Sequence, residues 1–324
     1  MTRYGAADWD RVVEVLGAAD EVTIASHVKP DGDALGSLLG ASLALRKLGK
    51  KTRATWDASP AALPVPFEWL PGAASVVQPE EVRGAETFLA LDCGAGDRLG
   101  SLQEAARAGE CLINIDHHPG NDDFGDLNVV VTTASSTAEL VARLLEDMNV
   151  PLDTEIATCL YVGMVTDTGR FQYSNTRPDT LRLAAELLSY DVPAPLIAQK
   201  VFESSSFGLL KLTGRVLDRA VLVKDARLVY SWMSRADLDD TGVSITETDS
   251  LIDAVRSTSA ADVAAIFKEQ PDGRFRVSLR SKGPGVGAIA RSWGGGGHDL
   301  AAGFTAVDID STVESVARAL ASGG

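Results

Sequence analysis

From residue 20 to about residue 190, short β-rich runs alternate with helical stretches, and this alternation limits the fold more than any other feature. It is the sequence form of βαβ units, which build a mostly parallel sheet flanked by helices. EVTIAS (21–26), KTRATW (51–56), TFLALD (87–92), CLINID (111–116) and LNVVV (127–131) read as strands. DALGSLLGASLALRKLG (33–49) reads as a helix with small residues on one face and Gly49 at its C-terminal cap. Ser136 and Glu139 stand in capping-box spacing at the head of another helix, and a further one runs from about Thr154 to Asp167. The prolines between residues 57 and 86 exclude a helix there and leave a lid or an edge loop.

Helical patterns at 181–192 and 194–203 lead into the serine run 204–206, the best linker candidate. The expected organisation is a domain over 1–190, a linker over 191–210 and a second domain over 211–324. In the second domain, 220–233 turns at Lys-Asp-Ala, 260–282 is a hairpin with a Pro-Asp-Gly turn, and a helix lies near 311–321. The fold class is α/β: a mostly parallel N-terminal sheet flanked by helices, plus a smaller mixed α/β domain.

In a parallel sheet, ligands bind beyond the carboxyl ends of the strands. His27, Asp31 and Asp33 follow the first strand, Asp92 closes the third, and Asp116, His117 and His118 close the fourth. Three of the chain's four histidines fall in these acid-rich loops. Asp31 and Asp33 also precede a helix, where an aspartate serves as an N-cap. Asp167 shares a helical stripe with Leu160, Gly163 and Met164, so it is expected on a buried face, where a carboxylate needs a partner. Carboxylate and imidazole donors without a thiolate suit Mn²⁺, Fe²⁺, Co²⁺ or Mg²⁺, and more donors than one ion requires points to two metals. A metal pair activates water and stabilises the charge of in-line displacement at phosphorus, which points to hydrolysis of a phosphate ester.

The fourth histidine, His298, follows the glycine run 294–297, which reads either as a flexible linker or as an anion-cradling loop with Arg280, Ser281, Lys282 and Arg291 upstream. The loop is the favoured reading. A net charge of −15 argues against a broad face for long duplex nucleic acid and leaves a small or short anionic substrate. Cys93, Cys111 and Cys159 lack metal-type spacing and are expected in or near the core. No apolar run approaches a membrane span and no secretory pattern opens the sequence, so the expected compartment is the cytoplasm.

HVKPDGDALGS, LALDCG, IDHHPGNDDFGDLN, GMVTDTGRFQYSNT and GGGGHDLAAGF, in this order, resemble the successive motifs of the DHH phosphoesterase superfamily with its DHH-associated C-terminal domain. The resemblance spans about residues 20 to 305 and is strongest to the NrnA-type group. That group implies hydrolysis of short oligoribonucleotides (nanoRNA) and of 3′-phosphoadenosine 5′-phosphate with two Mn²⁺, or with Co²⁺ or Mg²⁺. By resemblance, His27 and Asp31 ligate one ion and Asp33 the other, Asp92 bridges both, and His117 and Asp167 complete the second site. His118 is then expected on the substrate phosphate, with Asp116 orienting the histidine pair. Arg280, Ser281, Gly295, Gly296, Gly297 and His298 match the segment that grips the nucleotide. The stretch KGPGVGAIA departs from the usual family pattern near that segment. The resemblance also implies a cleft between the domains and a homodimer. Two alternatives stand beside this reading: a cyclic di-AMP phosphodiesterase, and a non-catalytic nucleotide-binding regulatory module, whose mark would be a broken metal set.

Overall fold

The computed structural model describes residues 8–82 and 86–322, except for the side chains of His298 and Ser322. It divides into two compact units, residues 1–204 and 205–324, at the serine run. Residues 191–210, expected as a linker, contain one helix and the start of another.

The first unit runs α1 (Trp9–Ala18), β1 (Glu21–Ser26), α2 (Gly32–Lys47), β2 (Lys51–Thr55), β3 (Thr87–Leu91), α3 (Leu102–Arg107), β4 (Cys111–Asp116) and β5 (Leu127–Val130). Four helices follow: α4 (Thr137–Asp147), α5 (Thr154–Asp167), α6 (Pro178–Leu188) and α7 (Ala194–Phe202). The five strands are all parallel, in the order β2-β1-β3-β4-β5. Alternate residues separate the faces of the sheet. Ile24, Leu89, Leu91, Ile113 and Ile115 join the large core under α2, α4 and α5, while Ala25, Phe88, Ala90 and Leu112 meet α3 on the other side. Burial on both faces explains why the strands read as near-continuous apolar runs. The proline-rich connection forms three single-turn 3₁₀ helices, and Val76 bridges to Ala54 at the sheet edge.

Leu160, Gly163 and Met164 are buried, as expected, but so is the rest of α5 from Ile156 to Val165, so no single stripe marks its inner face. One local expectation is corrected. Only half of the expected capping box forms. Ser136 accepts from the Glu139 amide, but the Glu139 carboxylate turns back to the Ser135 amide and hydroxyl, at 3.0 and 2.6 Å.

The second unit runs α8 (Phe207–Asp218), β6 (Val221–Val223), β7 (Leu228–Met233), α9 (Arg235–Thr241), α10 (Leu251–Arg256), β8 (Val263–Glu269), β9 (Phe275–Ser281), α11 (Gly287–Ser292), β10 (Gly296–His298), β11 (Ala301–Ala306) and α12 (Ile309–Ser322). Its sheet is mixed, in the order β10-β11-β9-β8-β7-β6, with only β7 and β8 parallel. Residues of α8 and α10 pack on one face, and residues of α11 and α12 on the other. The glycine run is a helix stop followed by a strand. The Gly294 and Gly295 amides bond the last carbonyls of α11, and Gly296 to His298 pair with β11. No helix among the described residues is long and apolar enough to cross a membrane.

Candidate metal centre

The strand order changes direction at β1, which leaves a crevice at the carboxyl ends of β1 and β3. His27 leaves β1 there, Asp92 leaves β3, and Asp116 to His118 leave β4. Asp92 turns in a left-handed conformation (φ 62°), tolerable for an aspartate, while its amide still donates to the Ile115 carbonyl at 3.1 Å. Asp31 caps α2, accepting from the Asp33 and Ala34 amides at 3.0 and 3.1 Å. Asp33, in the first turn, pins the start of α4 by accepting from the Thr137 and Ala138 amides at 2.7 and 2.9 Å. Close contact between α2 and α5 brings Asp167 to the same place. A Cβ on Gly36 would lie 2.4 Å from the Cys159 carbonyl, and one on Gly163 would lie 2.9 Å from Asp33 Oδ1.

All six expected donors converge, and Asp92 stands between two sets. Its Oδ2 lies 3.6 Å from His27 Nε2, and its Oδ1 lies 3.8 Å from His117 Nε2. His117 Nε2 is also 3.8 Å from Asp33 Oδ2 and 3.6 Å from Asp167 Oδ2. The donor atoms of His27, Asp31 and Asp92 lie within 4.8 Å of one another, as do those of Asp33, His117 and Asp167. A third such group, Asp92, His117 and His118, differs in kind. His118 Nδ1 is already bonded to Asp116 at 2.8 Å and is not a free donor. Asp116 is fully buried and also accepts from Asn121 at 2.6 Å. His27 Nδ1 lies 2.8 Å from the Val28 carbonyl, which turns Nε2 toward the acids.

Charge in the centre is unbalanced. Burial, then the charges of Asp92, Asp167 and Asp31, push the Asp33 carboxyl well up. Burial raises Asp167 to about 6, with Asp92 and Asp31 adding to the rise against the pull of His117. Burial of the carboxyl and the charge of Asp92 raise Asp31, against the pull of His27 and of the Ala34 and Asp33 amides. Burial acts on Asp92 in the same sense, but His27, His117 and His118 outweigh it and hold that carboxyl at about 2. The bond to Asp116 lifts His118 to about 9 against the cost of burial, helped by Asp92 and Asp167. A cation bound among the same acids opposes the upward shifts of Asp31, Asp33 and Asp167 and reinforces the downward shift of Asp92.

The residues fit divalent cations on their own geometry. His117 Nε2 is buried, has no hydrogen-bond partner among the described residues and faces three carboxylates. The neighbouring Cys93 thiol is pushed well up by burial and by the charges of Asp92 and Asp116, so it stays protonated and the donors remain oxygen and imidazole nitrogen.

Thr137 and Arg98 support the centre with no signal in the sequence, and Asn175 lies in the motif GMVTDTGRFQYSNT with no role assigned to it by the sequence. Thr137 donates to Asp92 Oδ1 at 2.9 Å, and Asn175 donates to Asp167 Oδ2 at 3.2 Å and to the Ser135 carbonyl at 2.8 Å. Arg98 Nη2 sits 3.1 Å from His27 Nδ1. Thr137 and Arg98 work through contacts distant in sequence, and Asn175 ties Asp167 to the Ser135 carbonyl. In the second unit, Arg280 lies half-buried on β9, and the Ser281 hydroxyl accepts from the Gly283 amide at 3.0 Å. Gly295 and Gly297 are tightly enclosed: a Cβ there would lie 2.2 Å from the Gly303 carbonyl and 2.5 Å from the Ala301 carbonyl, respectively. The His298 side chain lies outside the described residues.

Comparison with known proteins agrees with this site. The "DHH family, N-terminal domain" description matches residues 21–164, and "DHHA1 domain" matches 225–322. The chain is 36% identical over 322 residues to the bifunctional oligoribonuclease and PAP phosphatase NrnA of Thermus thermophilus, with 96% of this chain and 94% of that one covered. It is 27% identical to the cyclic-di-AMP phosphodiesterase GdpP of Geobacillus thermodenitrificans, where 88% of this chain matches 44% of that protein. Among solved structures, an exopolyphosphatase-related protein from Bacteroides fragilis aligns with a TM-score of 0.89 at 28% identity, covering 97% of this chain and 95% of that one. A parallel sheet that gathers the acids and histidines of four ordered motifs, followed by the matching second domain that carries the fifth, means that the chain belongs to the DHH family.

Proposed function

We propose that this chain is a Mn²⁺-dependent phosphodiesterase and phosphatase that hydrolyses short oligoribonucleotides and 3′-phosphoadenosine 5′-phosphate at a two-metal centre. One observation carries the reading: the two oxygens of Asp92 face two separate donor sets, one with His27 and Asp31, the other with Asp33, His117 and Asp167. Those residues would hold the ions, with Asp92 between them. When bound, the pair supplies Lewis acidity at phosphorus and an activated water.

The rest of the chemistry belongs to the protein's side chains. His118 is cationic at neutral pH, and its Nδ1 proton is held by Asp116, so its Nε2 proton is the one offered to a phosphoryl oxygen. Buried Asp116 fixes the ring while Asn121 satisfies its second oxygen. Asp33 and Asp167 are kept in place by amide donors of α4 and by Asn175. Water adds to phosphorus and the bond to the bridging or ester oxygen breaks, leaving a phosphate and a hydroxyl. Arg280, Ser281, Gly295 to Gly297 and His298 are assigned to the nucleotide, making the second unit the substrate-binding domain. The reading extends to a cytoplasmic homodimer that takes no long duplex.

The test is kcat/KM with Mn²⁺ for 3′-phosphoadenosine 5′-phosphate, a 5′-phosphorylated diadenylate and cyclic di-AMP, on wild type and Asp92→Ala. The expected result is turnover of the linear substrates, a loss of about 10³-fold or more in the variant, and abolition by chelator that Mn²⁺ reverses. An active Asp92→Ala, or no turnover with Mn²⁺, Co²⁺ or Mg²⁺, sinks the reading and leaves a binding module. Comparable turnover of cyclic di-AMP would shift the assignment to the second reading, which the likeness to GdpP favours.

A further inference from the structure

Alternate side chains of a strand share a face, and strand register extends that face sideways. On β9, Val277 and Leu279 enter the core formed with α11 and α12, so Arg276, Ser278 and Arg280 lie on the opposite face. Register then sets three rows. Arg280 aligns with Ala301 and His298, Ser278 with Gly303 and Gly296, and Arg276 with Thr305. Rows are about 7 Å apart, so Arg276 stands roughly 13 Å from Arg280 along the strand. The middle row carries no large side chain on β9, β11 or β10, its β8 member Ile266 being buried in the core with α8 and α10, and a Cβ on Gly296 would meet nothing within 4 Å.

Positive charge on this face is poorly neutralised, in a chain of net charge −15. Arg276 is exposed and pairs with no carboxylate among the described residues. Among the described residues, the Arg280 side chain makes one hydrogen bond, to the carbonyl of Leu279 at 3.1 Å. Lys268, opposite Arg276 on β8, is buried and paired with Asp249 at 2.5 Å, and its pKa is lowered first by burial and in part by the charges of Arg276 and Arg280. Past the last row lies a concavity of about 420 Å³, lined by Gln270, Pro271, Asp272, Arg274, Arg276 and Thr305. Its acid, Asp272, is already bonded to Arg274 at 2.7 Å.

We infer that this face is a track for single-stranded RNA, in which Arg276 holds a backbone phosphate two rows beyond the nucleotide at Arg280 and sets a preference for longer oligoribonucleotides. The inference rests on the proposed function, which places the nucleotide at Arg280 and His298. A guanidinium fork suits a phosphate, and the small middle row leaves room for the ribose and base between the two arginines. In 3′-phosphoadenosine 5′-phosphate both phosphates sit on one nucleoside, too short to span the rows.

The test compares kcat/KM for a 5′-phosphorylated tetraadenylate with that for 3′-phosphoadenosine 5′-phosphate, in wild type, Arg276→Ala and Arg276→Lys. The tetranucleotide-to-mononucleotide ratio should fall about tenfold in Arg276→Ala and recover in part in Arg276→Lys, as expected for loss of one phosphate contact. An unchanged ratio overturns the inference. A second readout does not need turnover: tetraadenylate binding to Asp92→Ala and to Asp92→Ala/Arg276→Ala, by fluorescence anisotropy across a salt series. One phosphate contact fewer should lower the slope of log K against log salt by about 0.7. If wild type cleaves neither substrate but the slope still falls, the proposed reaction fails and the track stands. An unchanged slope removes the track.

Discussion

Asp31, Asp33, Asp92 and Asp167 crowd one small volume, and titration of the metal-free protein should register it. Asp167 rises from an ordinary 3.8 to about 6. Between those values the folded chain holds a proton that the unfolded chain has released, so stability falls as pH rises from about 4 to 6. The amount is on the order of 3 kcal/mol for this group, and Asp33 shifts in the same direction. The depressed Asp92 acts oppositely, but only below its ordinary value near 3.8, outside that window. His118 adds a later window: its stabilisation is complete below about 6.5 and is lost as pH climbs through about 9. Denaturation in chelator from pH 4.5 to 6.5 should therefore show falling stability that Asp167→Asn flattens. An equal slope in that variant would move the effect to other groups. Mn²⁺ should reverse the trend, because it binds the deprotonated carboxylates.

At the scale of elements, the centre depends on how closely α2, α4 and α5 approach one another. Gly36 and Gly163 let the helix backbones meet, and the acids they carry meet as a consequence. A methyl group on Gly36 has no flexible neighbour to displace, only the Cys159 carbonyl at 2.4 Å and the Gly163 amide nitrogen at 2.8 Å. Gly36→Ala should cost roughly 1 to 3 kcal/mol in urea denaturation and weaken Mn²⁺ binding measured by calorimetric titration, because Asp33 and Asp167 are carried apart. A variant of unchanged stability with normal Mn²⁺ affinity would show that the helices tolerate separation. The same packing explains what the sequence revealed. The strands of the first sheet were readable because burial on both faces writes continuous apolar runs, and strand ends place acids at the rim without further information. α5 was readable as a helix but not as an oriented one, since burial on all sides erases its stripe. Thr137 and Arg98 were not readable, because each acts on a residue brought near only by the fold: Thr137 donates across 45 positions to Asp92, and Arg98 reaches His27 across 71. The glycine run misled in a different way. Its composition suits a loop, but two of its amides are consumed in stopping α11, and its tail pairs with β11.

At the scale of the whole molecule, each unit has its own hydrophobic cores. Those of the first unit lie on the two faces of the parallel sheet, and those of the second lie on the two faces of the mixed one. All six candidate metal donors belong to the first unit, and the rows of the RNA track belong to the second. Ligand binding stabilises the unit that holds the ligand, by RT ln(1 + [L]/Kd), about 2.7 kcal/mol at a hundredfold excess over Kd. Scanning calorimetry of the full chain should therefore show two transitions, of which Mn²⁺ raises one by several degrees and leaves the other in place. Asp92→Ala should abolish that shift without removing either transition. Arg276→Ala should keep it, since Arg276 lies on the other sheet. If Mn²⁺ instead moved both transitions together, the units would be unfolding as one cooperative block. Loss of metal would then destabilise the mixed sheet of the second unit along with the parallel sheet of the first.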